Sequence, residues 1–544
     1  MTKQNKIFAN IDSESRTCAE RSRSVQNPES RIQNLSGNWL LKACIFATGL
    51  SGIVAEYVMS TLASYLLGNS VLQWTLTISI MLFAMGVGSR FSKFVDDALL
   101  DAFVFTELLL SVLCAISATT IYFLSAYMNP ITPLIYTLSF AIGLLIGLEI
   151  PLATRLNDYF EDLKINISSV MEKDYYGALL GGLLFAFVAL PYLGLTYTPI
   201  LLGAVNYAVA AALFWQHRNS LKFPKTLTAG FLIVPALLGA LAVSAEPIVL
   251  YGEQQKYVDK VVYQEQTPYQ RIVITQFKND YWLYLNGNEQ FSSYDEHRYH
   301  EPLVHPAMLA SVAHKNVLIL GGGDGLAARE ILKHPDVEKI TLVDLDPAMT
   351  ELGKNYPVFR QLNQNALSDP RVHIRNEDAY TFLQQTREIF DVIIIDLPDP
   401  KTIELARLYT REFYQLAKRQ LSKGGIVVTQ AGSPFFSREA YLCILQTMRT
   451  AGLAAIPYHN HIPTLGEWGW VLAMNAEIDE NRLKNHLLSL SFDDLQTRFI
   501  NRDAMAAMLL FGKNELAGID AIRVNSELEL ALFDYYKNGS WEFY

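Results

Sequence analysis

Residues 318–332 read LILGGGDGLAAREIL. An apolar run enters a cluster of glycines and leaves through residues with helical spacing. Strand, glycine loop and helix in that order usually cradle a nucleotide-like ligand, because glycines let the backbone approach it closely. Here the loop also carries a carboxylate, Asp324, where a phosphate-binding loop would avoid negative charge.

The pattern repeats outward from this loop. The apolar runs NVLIL (316–320), KITLVDLD (339–346), RVHIRNEDA (371–379), FDVIIID (390–396) and GGIVVTQ (424–430) alternate with helical stretches predicted near 325–334, 347–355, 380–386 and 410–422. Short, continuously apolar strands alternating with helices predict a doubly wound α/β domain with a parallel sheet covered on both faces. Its ligand belongs beyond the carboxyl ends of the strands. Just upstream, RIVITQFKNDYWLYLNGNEQF (271–291) alternates apolar and polar residues around an Asn286-Gly287 turn signal and predicts a small β region.

The strand ends carry Gly321 to Gly325 with Asp324, then Asp344 and Asp346, then Asp378-Ala379, then Asp396 and Asp399. Asp344 is placed to hydrogen-bond both hydroxyls of a ribose. Asp378 can accept from an adenine amino group, and Gly321 and Gly323 let the backbone meet the same nucleoside. Asp324, Asp396 and Asp399 then have no nucleoside group to serve. Any one of these acids could simply cap a helix. Three spare carboxylates in one crevice suggest a ligand with more than one ammonium group.

The first half of the chain is different. Of its 544 residues, 51% are hydrophobic, and mean hydropathy is +0.16. That excess lies before residue 250, in seven expected membrane spans at 39–66, 71–89, 102–125, 132–150, 176–193, 198–215 and 227–245. Glu56, Glu107 and Glu149 fall inside these spans, where a carboxylate is costly and is a functional candidate by default. The loops at 90–101, 151–175 and 216–226 carry Lys and Arg, and the intervening loops carry none, which places the N-terminus in the cytoplasm. Residues 1–38 are polar and are expected to form a disordered tail without the apolar core of a signal peptide.

A net charge of −10 leaves no basic footprint for nucleic acid. The four cysteines, Cys18, Cys44, Cys114 and Cys443, form no CxxC pair and suggest no zinc site. His459 and His461, in HNHIPTLGEWGW (459–470), point the same way from a predicted strand. They read as packing at or under the pocket rather than as metal ligands, with no acidic third ligand evident nearby.

The stretches PYQRIVI (268–274), LYLNGNEQFSSYDEHRYHEPLVHP (283–306), 317–346, DPRVHIRNEDA (369–379) and FDVIIIDLPDP with LYTREFY (390–414) resemble the spermidine synthases, the polyamine aminopropyltransferases. The apolar half resembles the membrane-embedded branch of that family. The resemblance implies a Rossmann-like domain of the S-adenosylmethionine-methyltransferase type. It divides the chain into a tail (1–38), a helical membrane domain (39–245), a small β region (250–300) and a catalytic domain (301–544).

It further implies aminopropyl transfer from decarboxylated S-adenosylmethionine to a diamine, putrescine foremost, with no cofactor and no metal. Gln270 and Asp344 match nucleoside-binding positions, Asp378 and Ala379 the adenine pair, and His300 and Asp324 positions that contact the amine. Asp396 matches the general base and Asp399 a second ligand of the acceptor. The expected partners are polyamine substrates, the lipid bilayer and further copies of the chain in a homo-oligomer.

Asp324 would repel the carboxylate of ordinary S-adenosylmethionine, by a few kcal/mol on the order set by two close like charges in a partly dry pocket. That argues against the competing reading, a methyltransferase. A second competing reading is a polyamine sensor or transporter that binds without turnover. Leu397-Pro398 and KTIELAR (401–407) depart from the family pattern over the acceptor pocket and leave acceptor identity open; Glu377 also departs from the family, at a position that is often small. Seven spans and the charge rule would export the catalytic domain, but supply of the donor decides the expectation here, a catalytic domain in the cytoplasm of a multi-pass membrane protein. A proline-containing 227–245 segment that does not cross would reconcile the two.

Overall fold

The computed structural model describes residues 38–541 apart from 68–69, 97, 129, 159–161 and 476–477; the expected tail lies outside the described residues except for Asn38. The chain separates into two units between Lys256 and Tyr257.

The first unit is all helix: Asn38–Leu67, Ser70–Phe91, Leu99–Ser125, Thr132–Asn157, Leu163–Leu184, Gly194–His217 and Pro224–Gln254. Seven spans were expected. Among the described residues six helical stretches are long and apolar enough to cross a membrane, and the fifth, Leu163–Ser220, contains both expected segments 176–193 and 198–215. That stretch has 58 residues and is broken at Gly194, which adopts φ +60.

The packing shows that the chain reverses there. Before the break, Leu163–Leu184 runs parallel to Asn38–Leu67, with Gly177 against Phe46 and Gly181 against Leu50. After it, Gly194–His217 runs antiparallel to Leu99–Ser125. Gly203 meets Ser111, and the N–H groups of Lys222 and Phe223 return to the Asp101 carboxylate near the start of that helix. A Cβ on Gly177 would lie 2.0 Å from the Phe46 carbonyl oxygen, so only glycine permits this close approach of two helices. Pro224–Gln254 is a full helix in spite of Pro235 and Pro247. It lies along Leu99–Ser125 from Leu108, opposite Gly230, to Tyr122, opposite Gly252. It therefore gives no structural reason to exempt the 227–245 segment from crossing.

The second unit opens with a four-stranded antiparallel sheet, β1 (Lys260–Gln266), β2 (Arg271–Phe277), β3 (Asp280–Leu285) and β4 (Asn288–Ser292). Asn286 and Gly287 join β3 to β4 with φ of 52 and 79, the tight hairpin turn that an Asn-Gly pair favours. The helix His297–Ala310 follows and straddles the boundary expected at 300/301.

Then comes a seven-stranded sheet in the order β10-β11-β9-β8-β5-β6-β7. Its strands are β5 (Asn316–Gly321), β6 (Lys339–Asp344), β7 (Val372–Asn376), β8 (Phe390–Asp396), β9 (Leu421–Gln430), β10 (Ala454–Ile462) and β11 (Gly466–Met474). The five strands β5 to β9 are parallel, as the alternation of strands and helices predicted, although β7 at the edge reads VHIRN and is only partly apolar. Val317 and Ile319 enter one core layer, Leu318 and Leu320 the other, and all four are fully buried. The sheet is nevertheless mixed, because β11 and β10 pair antiparallel at its edge. The order reverses between β5 and β8, where Gly321 pairs with Asp396. An open sheet binds its ligand at such a switch point.

Candidate functional site

The glycine loop is built around that switch. Gly321 has φ +87, and a Cβ there would sit 2.0 Å from the Asp396 carbonyl oxygen. Glycine is thus required both by its backbone conformation and by the adjoining strand. A Cβ on Gly323 would meet Asp344 Oδ2 at 2.6 Å. The loop and the two strand-end acids are therefore one packed group.

At the end of β6, Asp344 Oδ2 accepts from Gly323 N–H (3.0 Å) and Oδ1 from Asp346 N–H (2.9 Å). Helix capping falls instead to Asp346, whose Oδ1 accepts from Ala348 N–H at 3.0 Å. Asp344 is thereby free of the bland role that any one strand-end acid could have had. Burial pushes its carboxyl up to about 6, against the two backbone N–H groups that hold the ionised form. Gln270 Nε2 donates to Asp346 Oδ2 at 3.0 Å, beside the Thr267 hydroxyl at 2.8 Å, and so joins the end of β6 rather than touching Asp344 directly. Asp378 does cap its helix: Oδ1 takes both the N–H and the O–H of Thr381 at 2.8 Å. Its Oδ2 is left for another partner, and buried Ala379 follows it. Glu377 pairs loosely with Arg375 at 3.7 Å.

At the end of β8, Asp396 Oδ1 accepts from the buried Tyr299 hydroxyl at 2.8 Å. Burial, foremost, pushes its carboxyl up to about 6; Asp324 adds to this, while His300 and the Tyr299 bond oppose it. Asp324 keeps one oxygen on Leu326 N–H at 2.8 Å within the glycine loop. Asp324, Asp396 and His300 are thus electrostatic neighbours.

His300 is buried, which by itself favours the neutral ring. The Glu296 carboxylate 3.2 Å from Nδ1, together with Asp324 and Asp396, overrides burial and raises it to about 9. The ring is therefore an imidazolium at neutral pH.

Glu296 is itself gripped by Arg329, Nη1 to Oε1 at 3.1 Å and Nη2 to Oε2 at 2.7 Å. Arg329 Nε continues to Glu330 at 2.8 Å, Glu330 to His305 at 2.8 Å, and His305 to His334 at 3.0 Å. Spacing in the sequence gave no sign of this buried relay. Its members come from the helix His297–Ala310 and from the helix and turn after the glycine loop, and only packing brings them together.

Asp399 lies three residues beyond Asp396. Tyr536 O–H donates to its Oδ2 at 2.6 Å and Gln430 Nε2 to its Oδ1 at 3.2 Å. Gln430 also reaches the Leu397 carbonyl at 2.9 Å and the Tyr409 hydroxyl at 2.7 Å, which fixes the loop between the two acids. The Lys401 ammonium stands 3.9 Å from Asp399 Oδ2, 2.6 Å from Asn288 Oδ1, and 5.8 Å from the ring centres of both Tyr536 and Trp541. A carboxylate beside two aromatic faces is an ammonium site, and here a lysine of the chain occupies it. Tyr536 and Trp541 lie more than a hundred residues from the glycine loop, where pattern reading had no reason to look.

His459 and His461 do project together from β10, and an acid that sequence reading missed lies across the hairpin. Glu467 bonds to His459 and stands 3.7 Å from His461. His459 Nε2 meets the Leu510 carbonyl at 2.7 Å and its ring packs on Phe511, which is a packing role. Among the described residues no group of three or more His, Cys, Asp or Glu could hold a metal ion.

Residues 296–485 match the family described as "Spermine/spermidine synthase domain". The chain is 45% identical over 505 residues to polyamine aminopropyltransferase 2 of Aquifex aeolicus (strain VF5), covering 92% of this chain and 99% of that protein. It is 38% identical over 501 residues to the polyamine aminopropyltransferase of Oceanobacillus iheyensis, covering 91% and 96% respectively. A solved spermidine synthase from Thermotoga maritima aligns at 28% identity with a TM-score of 0.42, over 47% of this chain and 87% of that one.

Proposed function

The chain belongs to the polyamine aminopropyltransferase family, and on that premise we propose that it transfers the aminopropyl group of decarboxylated S-adenosylmethionine to a diamine, putrescine foremost, giving spermidine and methylthioadenosine. The observation that carries the reading is the trio Asp396, Asp324 and His300 beside a glycine loop that ends on a ribose-type acid.

Asp344 and Gln270 serve the ribose side of the donor, Asp378 and Ala379 its adenine, with Gly321 and Gly323 against the nucleoside. Asp324 attracts the ammonium end of the aminopropyl chain and would repel a carboxylate there. A protonated acceptor cannot attack. The His300 imidazolium disfavours a second cation at the point of attack, and Asp396 accepts the proton the nitrogen gives up. The new bond forms from that nitrogen to the carbon beside the sulfonium. The carbon–sulfur bond breaks with its electron pair going to sulfur, which leaves neutral methylthioadenosine. The sulfonium is already a good leaving group, so alignment of donor and acceptor supplies much of the acceleration. Methylthioadenosine release that depends on an added diamine tests the reading. No release with any amine, despite measurable donor binding, would favour the sensor reading.

Asp399 with Tyr536 and Trp541 holds the far ammonium of the acceptor, and Lys401 is its resident competitor. Replacing Lys401 with Ala is expected to lower KM for the diamine several-fold and to admit longer amines, with kcat for putrescine held within about twofold, since the change lies mainly in ground-state binding. An unchanged KM across an amine panel would remove Lys401 from the acceptor site.

We also infer that the helical unit is embedded in a bilayer. The alternating directions of its helices support an odd number of crossings. Combined with the cationic loops, this favours a catalytic unit on the side opposite the N-terminus, against the cytoplasmic placement that donor supply suggests. A reporter fused after Gln254 is expected to be active only outside; activity inside would restore the cytoplasmic placement.

A further inference from the structure

The helical unit contains buried acids that the transferase reaction does not use. Glu107 is fully buried, and no N–H or O–H group among the described residues donates to either of its carboxyl oxygens. Glu149, 4% exposed, has an equally unpartnered Oε1. The two carboxyl groups face each other within hydrogen-bond reach.

A third buried polar residue stands at about the same level of the bundle. Ser111 donates to the Gly203 carbonyl at 2.6 Å, where Leu99–Ser125 and Gly194–His217 pass antiparallel. One turn on from that contact stand Glu107 on one helix and Asn206 on the other, level with each other. Asn206 is fully buried, and neither its Oδ1 nor its Nδ2 has a partner among the described residues. Buried polar groups in proteins are almost always satisfied. The contact between the two acids leaves further carboxyl oxygens and the Asn206 amide to be satisfied at about one level of an apolar bundle, which points to something that sits between them.

We propose that Glu107, Glu149 and Asn206 form a binding site for a protonated primary amine within the helical unit. A primary ammonium brings three N–H donors and a positive charge. It would find Glu107 Oε1 and Oε2, Glu149 Oε1 and Asn206 Oδ1 as acceptors. A proton shared between the two acids would satisfy part of the pair and leave Asn206 and the remaining carboxyl oxygens bare. Asp174 is an electrostatic neighbour of Glu149 and lies against Gly49, so a second anionic position is available to a molecule carrying two ammonium groups. The site would let the helical half bind the class of molecule that the catalytic half handles. The proposal rests on the polyamine reading only for the choice of probe.

Equilibrium binding of labelled spermidine to the full-length chain in detergent, at fixed ionic strength, tests it. The native chain is expected to bind one more spermidine than the double variant Glu107→Gln, Glu149→Gln. Methylthioadenosine release measured on the same samples shows that the catalytic unit of the variant is folded, and an unchanged helical circular-dichroism signal and elution as a single species show the same of the helical unit. Equal stoichiometry in the two proteins overturns the proposal, whatever the turnover. So does loss of the extra spermidine when potassium replaces sodium at constant ionic strength, which would mark an alkali-cation site. If the double variant fails to fold, Asn206→Leu is measured instead. Weakening of the extra site by about tenfold, the loss of one charge-assisted or amide hydrogen bond, is expected; unchanged affinity overturns the proposal.

Discussion

Replacing Asp396 with Asn lowers kcat by about 10²–10⁴-fold, the usual worth of a positioned general base, while the donor binds as before. Asn is isosteric, and its Oδ1 can still accept the Tyr299 hydroxyl that holds Asp396 Oδ1 at 2.8 Å, so the end of β8 keeps its shape. What disappears is the ability to take a proton. The pH profile provides a second readout. Burial holds the Asp396 carboxyl up at about 6. The base must be ionised to act, so kcat/KM for the amine rises with pH through about 6 in the native enzyme and falls tenfold per unit below it. That break vanishes in the variant. The corresponding break for the donor belongs to Asp344, also raised by burial to about 6, and survives. Retention of native kcat by the variant would remove Asp396 from the reaction. Loss of donor binding would show that its role is structural.

The two halves of the site were unequally legible in the sequence. The strand ends could be read because a parallel sheet imposes its own order. Each buried strand is an unbroken apolar run, and the first polar residue after it must emerge at the carboxyl edge. Asp344, Asp378 and Asp396 were found that way, and Gly321 pairs with Asp396 as the switch point requires. The choice among capping and binding roles was not legible. Asp346 took the cap that would have occupied Asp344, and Asp378 kept its cap. The mixed edge of the sheet was missed because the direction of β10 and β11 depends on a hairpin near Gly466 rather than on composition. Tyr299, Gln430, Tyr536 and Lys401 were missed for a further reason. Gln430 and Tyr536 reach the site from elements distant in sequence, while Tyr299 beside His300 and Lys401 inside KTIELAR lie in stretches already singled out; an isolated Tyr, Gln or Lys carries no pattern of its own. In the helical half hydropathy gave the segments, but the reversal at Gly194 hangs on one residue inside a stretch of 58.

The buried relay behind His300 leads to the other large effect. Arg329→Met is expected to destabilise the catalytic unit by about 3–5 kcal/mol, because removing one partner leaves buried charges uncompensated. Arg329 grips Glu296 through two nitrogens and Glu330 through a third, and both acids are fully or nearly buried. Met fills much the same volume, so cavity formation contributes little. A fall in Tm of roughly 6–15 °C follows for a unit of this size.

The pH dependence separates charge loss from packing loss. Glu296 is lowered to about 2: burial pushes it up, but the His300 and Arg329 contacts outweigh burial. A carboxyl depressed in the fold contributes stability that is full above its ordinary value near 4.5 and lost as pH falls through 2. His300, raised to about 9, contributes stability that is full below its ordinary 6.5 and lost as pH rises through 9. Without Arg329 the depression of Glu296 shrinks, so the difference between native and variant stability is greatest near neutral pH and narrows as pH falls below about 4.5. A packing defect would give a difference independent of pH. Arg329→Lys restores the charge without the two-pronged grip and is expected to recover only part of the loss. A Met variant with native Tm at pH 7 would mean that His300 and Glu296 sustain each other without the arginine.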